Sequence, residues 1–147
     1  MSTIQELCDV FSILHDGIIT SYTEIDKRLT LKIECSYLAE GINKNFDSFY
    51  LALDTVKHLS FKTWPNPPHE PVLQFTLVED VFQAPLEILS ADIQNDLVFI
   101  SCNQHDLKFN YCGGQLLISC EGLRVYDNDC NGLSIDTLDS IANEYWR

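Results

Sequence analysis

The run from Asp127 to Gly132 has residue types and a spacing that are suited to calcium. Its sequence, DNDCNG, matches the first half of an EF-hand loop, in which side-chain oxygens at alternate positions surround the cation. The ligands would be Asp127, Asp129 and Asn131. The second half of the motif is missing, because Leu138 stands where a bidentate glutamate belongs. The favoured interpretation is a polar turn leading into a capped helix, with calcium binding as the alternative.

A second group of potential metal ligands consists of Cys102 and His105, followed by Cys112 and Cys120. Zinc would require their thiolates and imidazole to converge in a tetrahedron. The strand pattern described below instead places Cys112 beside a turn and Cys120 opposite Leu107. We therefore predict reduced, buried strand cysteines and no zinc site.

Three histidines are each followed by an acid, an arrangement that could raise the histidine pKa for acid–base chemistry. The pairs are His15-Asp16, His69-Glu70 and His105-Asp106. All three fall at expected turns or loops, and no nucleophile elbow, phosphate loop or dinucleotide fingerprint accompanies them. The prediction is a protein that is not an enzyme, with a small hydrolase using His15 or His105 as the least favoured alternative.

The stretch from Leu97 to Asp127 is the clearest strand-rich segment. A two-residue turn at Gly113-Gly114 predicts a hairpin with one dry face and one wet face. The opposed residues on the dry face would be Tyr111 with Leu116, Phe109 with Ile118, and Leu107 with Cys120. The alternation breaks at Gly122, which predicts a β-bulge at Glu121-Gly122.

The other predicted elements follow from periodicity and capping residues. A helix spans 2–14, with Ser2 and Gln5 as a capping box, and Asp16-Gly17 ends it. A hairpin spans 18–35, and its pattern fits either a two-residue or a three-residue loop at 26–28. Further strands are predicted at 49–53, 56–63, 72–78 and 86–93, with a turn at Asp54-Thr55.

Ser134 caps a final predicted helix, and Tyr145 lies on its apolar stripe. Together the elements predict an α+β fold, a predominantly antiparallel β-sheet of about eight or nine strands with short N- and C-terminal helices. We expect residues 1–147 to form a single domain.

The net charge of −13, from nine basic and 22 acidic residues, is the strongest global signal. It disfavours nucleic acid and anionic membranes and favours a basic protein partner, although solubility alone also explains it. An N-terminus without a signal pattern predicts a cytoplasmic protein. The candidate partner-binding residues are the acids Glu79, Asp80, Asp127, Asp129, Asp136 and Asp139, with Trp64 as an aromatic anchor.

The segment LHDGIITSYTEIDKRLTLKIEC, residues 14–35, resembles the opening of small acidic bacterial immunity proteins of polymorphic or contact-dependent toxin systems. The resemblance implies a cytosolic protein that binds and blocks a toxin domain, and many such toxins are basic nucleases. The leading hypothesis is therefore a non-enzymatic immunity protein. The alternative is a calcium- or small-ligand-binding domain that uses residues 127–132.

Overall fold

The fold is built on one antiparallel sheet with helices near both chain ends, as the computed structural model of residues 2–146 shows. The helices are α1 (Thr3–Ile13), α2 (Ser36–Ala39), α3 (Val78–Val81) and α4 (Ile135–Tyr145). The strands are β1 (Ile18–Ile25), β2 (Arg28–Glu34), β3 (Ser48–Pro65), β4 (Gln74–Phe75), β5 (Leu86–Gln94), β6 (Leu97–Asn103), β7 (Tyr111–Tyr126) and β8 (Gly132–Leu133). The predicted α+β class is confirmed.

The sheet closes on itself through its longest strand. Its order is β4-β3-β2-β1-β5-β6-β7-β8, and β3 also pairs with β7. Leu51 on β3 has Leu31 of β2 as its neighbour on one side and Val125 of β7 on the other. All three side chains are buried, because residues opposed across strands share one face. The core therefore lies on the inner side of the closed sheet.

Helix α1 packs its apolar stripe against β5, β6 and β7. Its buried residues include Leu7, Val10 and Phe11, which are spaced as one helical face. The predicted N-cap is confirmed, since Ser2 Oγ accepts a hydrogen bond from Gln5 N at 3.3 Å. The Gln5 side chain does not complete a capping box, because it donates instead to Asp9.

The predicted turn at Gly113-Gly114 is wrong, because both glycines lie inside β7. A Cβ on Gly113 would lie 2.2 Å from the carbonyl oxygen of Cys102, and one on Gly114 would lie 2.4 Å from that of Lys62. Glycine here lets β3 and β6 approach β7 closely, rather than reversing the chain. Residues 104–110 form a loop instead of a strand, and Leu107 is 95% exposed.

The predicted bulge at Glu121-Gly122 is also wrong, because the register shift lies on the partner strand. It falls on β3 between Val56 and His58, where Lys57 is the extra residue. An extra residue on either strand changes which side chains of the two strands face the core together. The break in the alternation of β7 therefore did not show which of the two strands carries the bulge.

Strand β3 is continuous through the turn predicted at Asp54-Thr55. Thr55 adopts a positive φ of 50°, which is irregular for a strand. Its N–H still donates to the carbonyl of Lys27 at 2.8 Å, and β3 continues past this residue. The strand predicted at 72–78 is reduced to Gln74–Phe75, since α3 begins at Val78.

Pairing of Ile25 with Arg28 selects the two-residue loop for the first hairpin. A register shift between Ile19 and Ser21 then returns Ile19 to the buried face opposite Ile33. Helix α1 ends as predicted near Asp16-Gly17, but Asp16 takes the left-handed conformation, with φ of 68°. None of the helices in residues 2–146 is long and apolar enough to cross a membrane.

Candidate functional site

Asp127 organises the loop that was considered for calcium. Its side chain is buried, and its Oδ1 accepts hydrogen bonds from the backbone N–H groups of Asp129 at 2.9 Å and Asn131 at 3.0 Å. These are the bonds of an Asx-type turn, as the interpretation of a polar turn predicts. The neighbouring Asn128 Oδ1 accepts bonds of 2.9 and 2.7 Å from two backbone N–H groups where β3 begins. Asp127 is therefore a structural residue of the loop and is not presented to a partner.

The cysteines considered for zinc lie in different environments. Cys102 is fully buried, and desolvation raises the pKa of its thiol to about 12. Cys112 is exposed and Cys120 is half-buried, so the prediction that all strand cysteines are buried is wrong for these two. Within residues 2–146, no group of three His, Cys, Asp or Glu side chains is arranged to hold a metal ion.

The histidines considered for catalysis make different contacts, since His15 stacks on Trp146 and His105 contacts an acid of β5. His105 Nε2 lies 3.2 Å from Glu87 Oε1, and this hydrogen bond, with one from Asn103, lowers the pKa of the Glu87 carboxyl. A serine–histidine contact that the sequence did not suggest joins His58 Nε2 to Ser60 Oγ at 3.1 Å. Ser60 is 2% exposed, so its hydroxyl is inaccessible to a substrate.

The predicted partner-binding residues lie near opposite ends of the molecule. Trp64 at the end of β3 pairs with Gly113 at the start of β7, whereas the loop into α4 pairs with Val125 near the end of β7. At the usual rise per residue, these two points are on the order of 40 Å apart along the strand. Trp64 and the start of α4 therefore lie beside opposite ends of β7.

The first end carries exposed apolar side chains around the proline-rich loop, and we call it the proline-loop end. Its exposed residues are Trp64, Val72, Leu73 and Leu77. The loop is held by Thr63, whose N–H donates to the Leu73 carbonyl at 2.9 Å. Glu79 and Asp80 lie on α3, directly after Leu77, and belong to this end.

The other surface is formed by α1, α2 and α4, and we call it the helical face. Glu6 of α1 and Asp136 of α4 line one cavity of 550 Å³ together with Arg124. Where the two helices end, His15 stacks on Trp146 with ring centroids 5.5 Å apart. Their first turns are therefore adjacent and so are their last turns, which means that α1 and α4 run side by side in the same direction.

The helical face is rich in carboxylates, because none of the helices within residues 2–146 contains lysine or arginine. Its acidic residues are Glu6, Asp9, Glu40, Asp136, Asp139 and Glu144. The ion pairs of lysine and arginine join residues outside these helices: Arg28 with Asp54 at 2.8 Å, Lys57 with Glu121 at 3.7 Å, and Lys108 with Asp106 at 4.0 Å. The helices of this side thus contribute negative charge, which Arg124 of β7 offsets in part at the cavity between α1 and α4.

An aromatic cluster lies where the three helices of the helical face meet. The ring centroid of Tyr37 lies 4.7 Å from that of Tyr145 and 5.8 Å from that of Trp146, and the hydroxyl of Tyr37 donates to the carbonyl of His15. Tyr145 is 51% and Trp146 57% exposed. The expectation that Tyr145 packs in the core is wrong, because α4 buries only Leu138 and Ala142 against the fold.

A cleft of 510 Å³ opens between α2 and α4 beside this cluster. Its lining includes Tyr37, Glu40, Tyr145 and Glu144, with the hydroxyl-bearing residues Thr137 and Ser140. Sequence reasoning placed a short helical turn at Tyr37 to Glu40 but assigned these residues no function, because a four-residue helix has no periodicity from which a face can be read.

No protein-family model, no curated protein and no solved structure matches this chain.

Proposed function

We propose that this chain is a non-enzymatic binding protein whose helical face recognises a basic protein domain. The observation that carries the proposal is the coincidence of an excess of carboxylates with exposed aromatic rings on one surface. Asp136 and Asp139 supply charge there, and Tyr145 and Trp146 supply amphipathic contact area. Complementary charge speeds association and selects partners, while aromatic residues supply much of the binding energy at protein interfaces.

Within this class, we propose an immunity protein that acts in the cytoplasm by blocking a basic toxin domain. The resemblance of residues 14–35 to such proteins supports this assignment, and His15 within that segment belongs to the aromatic cluster. Carboxylates on the helical face would occupy positions that substrate phosphates take in a basic nuclease groove, which would exclude the substrate by competition.

The experiment is a calorimetric titration of the purified protein with the basic domain encoded by the adjacent reading frame. We expect a one-to-one complex that weakens at least tenfold when the salt concentration rises from about 0.1 M to about 1 M, because salt screens charges across an interface. Absence of binding at the lower salt concentration would overturn the proposal.

Paired substitutions locate the surface. Asp136→Asn combined with Asp139→Asn should weaken the complex about tenfold or more, mainly through slower association. Glu79→Gln combined with Asp80→Asn removes the same charge at the proline-loop end and serves as the control, with unchanged affinity. The reverse pattern would exclude the helical face as the binding surface.

A further inference from the structure

We propose that the cleft between α2 and α4 receives an arginine side chain of the basic partner. The inference rests on the proposed function and specifies which side chain of the partner fits this site. It depends on three features of the cleft: its aromatic walls, their fixed orientation and the charge of its lining.

The aromatic walls suit a planar cation. The rings of Tyr37 and Tyr145, which line the cleft, are inclined by 50°. The indole of Trp146 lies outside the lining and packs at 90° against Tyr145, with centroids 4.9 Å apart. The exposed portion of Tyr145 leaves ring surface available to a group that enters the cleft. Guanidinium groups stack on aromatic faces, where the ring quadrupole attracts the positive charge.

The rings are held in place before any partner arrives. The hydroxyl of Tyr37 donates to the backbone carbonyl of His15, and the imidazole of His15 stacks on Trp146 with an interplanar angle of 19°. Desolvation raises the pKa of Tyr37, so its hydroxyl stays protonated and keeps donating at physiological pH. A preformed site loses little conformational entropy on binding, which favours affinity.

The lining is complementary in charge to a cation. The exposed Glu40 borders the cleft, and none of the residues of 2–146 that line it is lysine or arginine. The hydroxyl of Ser140 donates to the carbonyl of Asp136 at 2.9 Å, which leaves the oxygen lone pairs of Ser140 as acceptors for an N–H donor. Arginine fits this combination better than lysine, because its fork of N–H donors can reach a carboxylate while its plane stacks on a ring.

The test uses N-acetyl-arginine amide as the probe and follows backbone amide shifts of the full chain by NMR. We expect saturable shifts at the residues that line the cleft, and binding several-fold weaker or absent with the citrulline analogue, which has the same shape but no charge. Equal binding of the arginine and citrulline probes would overturn the proposal. Binding of tetramethylammonium as tight as that of the arginine probe would also overturn the assignment to arginine.

Matched variants separate the ring from its hydroxyl. Tyr145→Phe should retain binding of the probe, whereas Tyr145→Leu and Glu40→Gln should each weaken it about two- to fivefold. Trp64→Leu removes an exposed aromatic side chain at the proline-loop end and should leave the probe's affinity unchanged. Undiminished binding by Tyr145→Leu, with the fold verified by its NMR spectrum, would overturn the role of the aromatic wall.

The two proposals fail in different ways. If the basic domain binds and depends on Asp136 and Asp139 while the arginine probe shifts no cleft residue, the cleft assignment fails alone. If the arginine probe binds the cleft but no basic domain forms a complex, the proposed function fails. The proposal that the bound arginine comes from a protein partner then fails as well.

Discussion

The imidazole of His15 stacks on the indole of Trp146, with ring centroids 5.5 Å apart and planes inclined by 19°. This contact joins the end of α1 to the end of α4, although the two helices lie at opposite ends of the chain. It holds the ends of the two helices beside each other on the helical face.

Replacement of Trp146 by alanine should lower the free energy of unfolding by about 1 kcal/mol, since the variant loses its ring contacts with His15, Tyr37 and Tyr145. Urea unfolding monitored by circular dichroism measures the change. Leu107→Ala is the control, because that side chain is 95% exposed. Equal midpoints for the two variants would show that the aromatic cluster does not stabilise the fold.

Gly114→Ala should destabilise the protein by about 2–3 kcal/mol, because an added Cβ would lie 2.4 Å from the carbonyl oxygen of Lys62 and 2.6 Å from Cζ of Phe61. Gly132→Ala meets no atom within 4 Å and should change stability by less than about 0.5 kcal/mol. Thermal unfolding of both variants tests the comparison. A tolerated alanine at 114 would contradict the close approach of β3 to β7.

Buried thiols should make the protein less stable in alkaline solution. Desolvation raises the pKa of Cys102 from 9.0 to about 12 and that of Cys35 from 9.0 to about 11. The unfolded state therefore loses these protons at a lower pH than the folded state. The stability that each group contributes is complete below pH 9.0 and falls by about 1.4 kcal/mol per pH unit above it, until the folded pKa is reached.

The measurement is urea unfolding between about pH 8 and pH 11. The upper limit is the pKa of Cys35 in the folded state, about 11, which is the lower of the two shifted values. Cys102→Ala should show a pH slope shallower by about 1.4 kcal/mol per unit in the part of this range above pH 9.0, where the thiol of the unfolded state ionises. Identical slopes for Cys102→Ala and the original chain would contradict the prediction.

Asn128→Ala should cost about 1–3 kcal/mol, because two backbone N–H groups at the start of β3 lose their acceptor. Asn128→Asp retains the acceptor oxygen and should recover most of that loss. Thermal unfolding distinguishes the two variants. If both lose the same stability, the hydrogen bonds to β3 do not account for the effect.

Added calcium should leave the melting temperature of the protein unchanged, since Oδ1 of Asp127 already accepts two backbone N–H bonds. Calorimetric titration and thermal unfolding with calcium and with magnesium test this. A calcium-specific rise in melting temperature that disappears in Asp129→Asn would instead support the calcium-loop alternative.

The sequence predicted elements correctly where the signal was local. Ser2 and Ser134 accept the expected capping bonds, and the strand beginning at Leu86 is where alternation predicted it. Glycine was misread in β7 because the same residue type permits a tight turn and a close approach between strands. Only the positions of β3 and β6 beside β7 distinguish a turn from a close approach, and β3 and β6 are distant from these glycines in the sequence.

The sequence by itself determined the α+β class, the capped terminal helices and the strong negative charge, because each depends on residue type or on spacing along a short segment. Tertiary structure alone decided which acids share a surface. It separated Trp64 from Asp136 and brought Tyr37 against Tyr145, a residue from the other end of the chain. Those contacts depend on the pairing of β3 with β7 and the docking of α4 beside α1, which no local pattern of residues encodes.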